Sequence, residues 1–182
     1  MMAGHVYGAY TVKDGRKVVL RAIRFEDLDD LLDNINSLVE EGADIAVDEK
    51  QTRESEIEWL ARELAAQENG KQIIVAAEVD GVVIGASSVE KYSLRSEAHK
   101  GTLGIAIKSS YRGIGIGTQM IQVLVDESRK AGLKILLLDV FETNKMARHV
   151  YEKTGFREIG RVPRGIFRNG RYIDEIRMAL FQ

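Results

Sequence analysis

The segment Tyr111-Arg112-Gly113-Ile114-Gly115-Ile116-Gly117-Thr118 lies between an alternating apolar run and an amphipathic helical pattern. Its three glycines at alternate positions let the backbone turn sharply and aim several N–H groups into one concavity. At a helix start, the positive end of the dipole adds to those donors, and the combination suits a pyrophosphate. A chain that turns in this way after a strand is directed toward an α/β architecture with an anion seat beyond that strand. Two other phosphate turns use the same physics. A dinucleotide turn needs G-x-G-x-x-G inside an opening βαβ unit, whereas the spacing here is G-x-G-x-G without that unit. A P-loop needs Gly-Lys-Ser/Thr, which does not follow.

The periodicities on either side predict the remaining elements. Runs at 6–12 and 17–23 flank Lys13-Asp14-Gly15-Arg16, and Asp-Gly is a hairpin signal. Leu28, Leu31, Leu32, Ile35 and Leu38 share one helical face, which predicts a helix to about Glu40. Thr52 reads as the N-cap of a second helix with Ile57, Leu60 and Leu64 inward, stopped by Asn69-Gly70. Apolar runs 73–79 and 82–89 joined by Asp80-Gly81 form an antiparallel hairpin, and a further strand covers 98–107. A helix follows over 115–131. Residues 135–140 are apolar apart from Asp139 and read as a strand buried on both faces. A short helix at 144–154 and a hairpin, 156–162 with 172–180 and Asn169-Gly170 at its tip, close the chain. The order ββααβββαβαββ implies a mixed α/β sheet with helices on both faces. No linker or repeat divides it, so residues 1–182 read as one domain. Its parts are an N-terminal hairpin (6–23), an acidic helical pair (26–68), a core (73–162) and a C-terminal hairpin (156–180).

Composition narrows the chemistry. The 182 residues include no cysteine, which excludes disulfides, thiolate zinc sites and a cysteinyl acyl-enzyme. His5, His99 and His149 are scattered without metal-ligand spacing, so no metal is expected. No apolar run reaches the roughly 18–20 residues of a membrane helix, and residues 1–10 lack a secretory pattern, so a cytoplasmic location is expected. The net charge of −2 is unevenly spread. Residues 26–68 hold 15 acidic and 3 basic side chains, a local −12 that is either a solvated helix face or an attractor for a cationic partner. No basic stripe with interleaved aromatics supports a nucleic-acid partner.

Arg112-Gly113-Ile114-Gly115-Ile116-Gly117 resembles the R/Q-x-x-G-x-G/A signature of the Gcn5-related N-acetyltransferases. Leu138, Val140, Asn144, Ala147, Tyr151 and Gly155-Phe156 are similar to that family's second signature, in the expected order. The resemblance spans about residues 73–180. Residues 165–180 also resemble the ribosomal-protein-alanine and diamine acetyltransferase subgroup.

The resemblance implies a single-domain, mostly antiparallel sheet whose central parallel strands splay to admit acetyl-CoA, with no metal. Backbone groups of Ile105, Ala106 and Ile107 would pair with the pantetheine arm. The loop Gly113, Ile114, Gly115, Ile116, Gly117 and Thr118, with the Arg112 side chain, would hold the pyrophosphate. Asn144 would hydrogen-bond the cofactor, although an N-cap explains it equally. Tyr151 would reprotonate the departing thiolate, although a packed core tyrosine is the bland alternative. Asp139 is the first candidate for general base, ahead of Glu90, Glu97 and His99. The acceptor would be a cationic primary amine: a polyamine, a lysine, a protein N-terminus or an aminoglycoside. Arg161, Arg164, Arg168 and Arg171 near the last turn pull the other way, toward phosphates, an acidic acceptor or a second subunit in a homodimer. The alternatives are an idle acyl-CoA sensor and an interaction module that docks a basic partner on the acidic helices.

Overall fold

The Asp14-Gly15 turn closes the first hairpin, pairing β1 (Val6–Thr11) with β2 (Lys17–Arg21). Gly15 sits at φ +88, and the Asp14 carboxylate accepts the Arg16 backbone N–H at 3.1 Å. The computed structural model describes residues 2–182. After the hairpin come α1 (Leu28–Glu40) and α2 (Arg53–Glu68). Thr52 caps α2 as expected: its hydroxyl accepts the Ser55 N–H at 3.2 Å, and Ser55 Oγ accepts the Thr52 N–H at 3.0 Å. Next are β3 (Gln72–Val79), β4 (Val82–Lys91) and β5 (Lys100–Ile107). The chain continues through α3 (Ile116–Lys130), β6 (Ile135–Phe141) and α4 (Lys145–Lys153), and ends in β7 (Arg157–Arg168) and β8 (Arg171–Phe181).

The strands form one sheet in the order β1-β2-β3-β4-β5-β6-β8-β7, and only β5 and β6 run parallel. One face packs Leu103, Ile107, Leu136, Leu138 and Met178 against Met120, Ile121 and Leu124 of α3 and Tyr151 of α4. The other packs Ile74 and Val83 against Leu28 and Leu31 of α1 and Leu60 of α2. The expected α/β class, with helices on both faces, is therefore the observed one. Among the described residues no helix is long and apolar enough to cross a membrane. No group of three or more His, Cys, Asp or Glu is placed to hold a metal among them either.

Two expectations need correction. First, β6 is buried on one face: Leu136, Leu138 and Val140 are inside, whereas Asp139 is exposed and Ile135, Leu137 and Phe141 are half-buried. The reason is coverage, because α1 packs over β4 and β5 and α2 over β3, leaving that side of β6 open. Second, β7 runs to Arg168 instead of stopping at Val162. Pro163 does not end the strand but sits in a bulge: Val162 pairs with Glu175, and the next pair is Ile166 with Ile173. Arg164 takes φ +57 there, and its N–H donates to Asp174 Oδ1 at 2.9 Å in place of a ladder bond.

A buried ion cluster anchors the start of α1. Asp27, 2% exposed, accepts from Nη1 and Nη2 of Arg21, both at 2.7 Å, and from the Arg24 N–H at 2.9 Å. Arg21 Nε reaches Glu78 Oε2 at 2.7 Å. This ties β2, β3 and α1 together beneath the helix.

Candidate active site

The two parallel strands begin together and then separate. Lys100 pairs with Ile135, Gly101 with Leu136 and Thr102 with Leu137, and the ladder stops there. β5 continues to Ile107 paired only with β4, while β6 continues to Phe141 paired only with β8. A wedge therefore opens toward the C-terminal ends of both strands. Its β5 wall is an unpaired strand edge that includes Ile105, Ala106 and Ile107. Backbone N–H and C=O groups on such an edge accept an extended amide-bearing arm as a further strand.

Beyond the wedge lies the glycine loop of residues 113–118, the candidate anion seat. Gly113 at φ +77 and Gly115 at φ +103 hold conformations that side chains resist, and Gly115 is the N-cap of α3 without a side-chain cap. Among the described residues, none of the six backbone N–H groups of Gly113, Ile114, Gly115, Ile116, Gly117 and Thr118 donates a hydrogen bond. A Cβ at Gly113 or Gly115 would meet nothing within 4 Å, so the seat is open on the glycine side. Six free donors at the mouth of a helix fit a pyrophosphate. The loop is braced from behind by the first hairpin. Lys13 N–H donates to the Ile114 carbonyl at 3.3 Å, and the Arg16 guanidinium lies 4.5 Å from the centre of the Tyr111 ring. Neither contact carries a signal in sequence spacing.

The Arg112 side chain turns back from the seat. Its Nε donates to the Ile107 carbonyl at 2.7 Å, and Nη2 pairs with Glu41 at the end of α1. Asn144 is the N-cap of α4: its Oδ1 accepts the Ala147 N–H at 3.1 Å, which leaves its amide NH2 for another partner. Tyr151 lies on α4, 7% exposed, its ring centroid 6.0 Å from that of Phe156. No hydrogen bond to its hydroxyl is present among the described residues. Burial pushes its pKa up to about 12.

The carboxylates divide by position. Asp139, on the open side of β6, is held in a bidentate pair by Arg177 of β8, Nε–Oδ1 at 2.8 Å and Nη2–Oδ2 at 2.9 Å. Glu97, paired with Lys100 at 2.6 Å, and His99 precede β5 at the closed end of the parallel pair. Glu90 lies across from Thr102, whose hydroxyl donates to the Tyr92 oxygen at 3.4 Å. Arg177 as the companion of Asp139 was not legible, because 38 residues separate them.

Near the C-terminal end of β6, the loop between α1 and α2 meets the β7–β8 turn. Arg168 Nη1 donates to the carbonyls of Ala43 at 2.6 Å and Ile45 at 2.9 Å, and its guanidinium lies 5.9 Å from the Phe141 ring centre. Thr143 Oγ1 donates to Asp44 Oδ2 at 3.1 Å. Between them is a recess of about 320 Å³ lined by Gly42, Asp44, Arg168, Asn169, Arg171 and Ile173.

A splayed parallel pair, a loop of unpartnered N–H groups at the next helix and a buried tyrosine on the helix after it have the shape and the donors to take an acyl-CoA thioester. The acetyltransferase (GNAT) family model matches residues 33–156, and the chain belongs to that family. An L-methionine sulfoximine/L-methionine sulfone acetyltransferase from Pseudomonas paraeruginosa is 27% identical over 118 residues, 64% of this chain and 68% of that one. The spermidine N(1)-acetyltransferase of Escherichia coli K12 is 32% identical over 106 residues, 58% of this chain and 56% of that one. A ribosomal-protein-alanine N-acetyltransferase from Brucella melitensis has the same fold, with a TM-score of 0.80 over 90% of this chain and 99% of that one at 24% identity. The chain is thus an acyl-CoA-dependent N-acetyltransferase.

Proposed function

We propose that the chain moves the acetyl group of acetyl-CoA to a primary amine by direct attack, with both substrates held at once across the β5–β6 wedge. The observation that carries this reading is the wedge with its unpaired β5 edge leading into six unpartnered N–H groups. Acetyl-CoA supplies an activated thioester and a pyrophosphate handle. The N–H groups of residues 113–118 bind that handle, and the edge at Ile105, Ala106 and Ile107 aligns the arm. A backbone N–H of β5 stabilises negative charge on the acyl oxygen. The free amide of Asn144 hydrogen-bonds the arm.

Tyr151 holds the proton that the sulfur takes as it leaves. A phenol near 12 is a weak acid for a thiolate whose usual value is about 8.5. The same apolar surroundings raise the thiol in parallel, however, so proton transfer between them stays within reach. Asp139 accepts the proton of the amine. Arg177 fixes its orientation and takes one lone pair on each oxygen, leaving the others to serve as base.

The recess beside the wedge supports a small acceptor with charge of both signs. Asp44 faces the ammonium, and Arg168 and Arg171, neither of which has a carboxylate partner among the described residues, face a carboxylate. An amino acid fits both lips, and a polyamine fits only the first. Thiol release from acetyl-CoA is measured with an amino-acid panel, spermidine, a lysine peptide and an N-terminal alanine peptide. Turnover with amino acids, lost in Tyr151→Phe, is expected. CoA binding without turnover on any amine would leave an idle sensor, and turnover with spermidine alone would return the acceptor to the polyamines.

A further inference from the structure

The last turn of α1 contains no basic residue, and the helix ends in Glu40 followed by Glu41, so its own charges oppose the helix dipole. Cations from elsewhere offset both. Lys50 pairs with Glu40 at 2.6 Å, and Arg112 pairs with Glu41. Arg112 is also the residue that leads into the anion seat. Its guanidinium therefore serves a carboxylate at the end of α1, while its backbone leads directly into the candidate phosphate loop. Lys108, from the same connection, pairs with Asp33 of α1 in the same manner.

We propose that Arg112 is a shared cation that orders substrate binding. Without cofactor it caps α1 through Glu41. The CoA pyrophosphate draws it away, and the end of α1 loosens, so the acceptor side opens after CoA is seated. This inference rests on the acetyl-CoA reading above. The Glu41 and Arg112 side chains are 26% and 34% exposed, so the exchange of partners is a matter of a few-fold, not of decades. Arg168 on Ala43 and Ile45, and Asn36 on Gln51, keep the rest of the loop attached. The loosening is confined to the turn closed by Glu41 N–H to Ser37, Gly42 N–H to Val39 and Ala43 N–H to Leu38.

Hydrogen exchange on the full chain, with CoA alone and no acceptor, tests this. CoA is expected to slow exchange at residues 113–118 and to speed it at 41–43, the opposite of ordinary ligand protection. In Glu41→Gln the speeding at 41–43 should vanish, and CoA should bind about two- to five-fold tighter by calorimetry, since no carboxylate competes for Arg112. In Arg112→Gln, exchange at 41–43 should already be fast without CoA. Protection at both segments, or an unchanged CoA affinity in Glu41→Gln, would overturn the shared-cation proposal while leaving the CoA site standing. No protection at 113–118 would instead sink the CoA reading on which it depends.

Discussion

Replacing Tyr151 by Phe isolates one hydroxyl. The ring stays, so its packing on Phe156 is kept and no cavity forms. The hydroxyl has no hydrogen-bond partner among the described residues, so stability at neutral pH should change by less than about 1 kcal/mol. The alkaline range is different. The folded value is near 12, whereas the unfolded chain titrates at about 10. Below about pH 10 both states keep the proton, and stability does not depend on this group. From there to about pH 12 only the unfolded state releases it, so stability falls as pH rises, by about 1.4 kcal/mol per unit. Urea unfolding followed to about pH 11.5 should therefore show wild type losing roughly 2 kcal/mol more than the variant. Tyr7 is also raised by burial, but it is present in both proteins and cancels. In turnover, kcat should drop by about 10²–10⁴ with CoA affinity nearly unchanged. Parallel stability profiles through the alkaline range would refute the buried phenol. A loss of kcat under about three-fold would refute its proton-transfer role.

Asp27→Asn leaves the Arg21 guanidinium buried without its full partner, and should cost about 3–5 kcal/mol in denaturant unfolding. Gly85→Ala puts a Cβ 2.7 Å from the Ala106 carbonyl oxygen, so it should destabilise by about 1–3 kcal/mol and weaken CoA binding by shifting the β5 edge, read by calorimetry. Burial raises the Glu56 carboxyl pKa, so wild type loses stability as pH climbs through that raised value. Glu56→Gln should be the more stable protein at neutral pH, with the gap closing below the carboxylate range in a pH series of unfolding curves.

Local chemistry was readable, and long-range chemistry was not. The Asp-Gly and Asn-Gly turns, the Thr52 cap and the glycine loop each depend on residues within a few positions, so their geometry was expressed in the sequence itself. Asp80 and Gly81 take φ +51 and +83, as a two-residue hairpin turn with that dipeptide requires. The place where the parallel ladder stops depends on how α3, α4 and the last hairpin pack, and no spacing encodes it. The run at 135–140 looked buried on both faces because four contiguous apolar residues precede Asp139. Which face is covered was decided by α1 and α2, which lie far earlier in the chain. The strand expected to stop at Val162 runs on past Pro163, which has no N–H to give, because the Asp174 side chain takes over the ladder at that bulge. The roles proposed for Tyr151 and Asn144 rest on motif position, and the structure adds their surroundings: an apolar sleeve for the first and a free amide for the second.

The acidic segment illustrates how charge counted along a chain differs from charge felt at a site. Several of its carboxylates are met by cations from outside the segment: Asp27 by Arg21 and Arg24, Asp33 by Lys108, and Glu41 by Arg112. The carboxylates on α1 and at its end that face the glycine loop and the connection before it, Asp33 and Glu41, are thereby neutralised. What remains at the recess without a cation partner among the described residues is Asp44, and with it in the lining stand Arg168 and Arg171. Two opposed lips recognise a zwitterion at contact distance but exert little pull beyond a Debye length, because their long-range fields cancel. An amino-acid acceptor should therefore show a KM that changes by less than about three-fold between about 0.05 and 0.5 M salt. A polycation such as spermidine, drawn by an uncompensated acidic field, would show a KM that climbs by a decade or so over the same range. A steep climb with the best acceptor would mean that the −12 segment acts as a field after all, and that the recess at Asp44 and Arg168 does not choose the substrate.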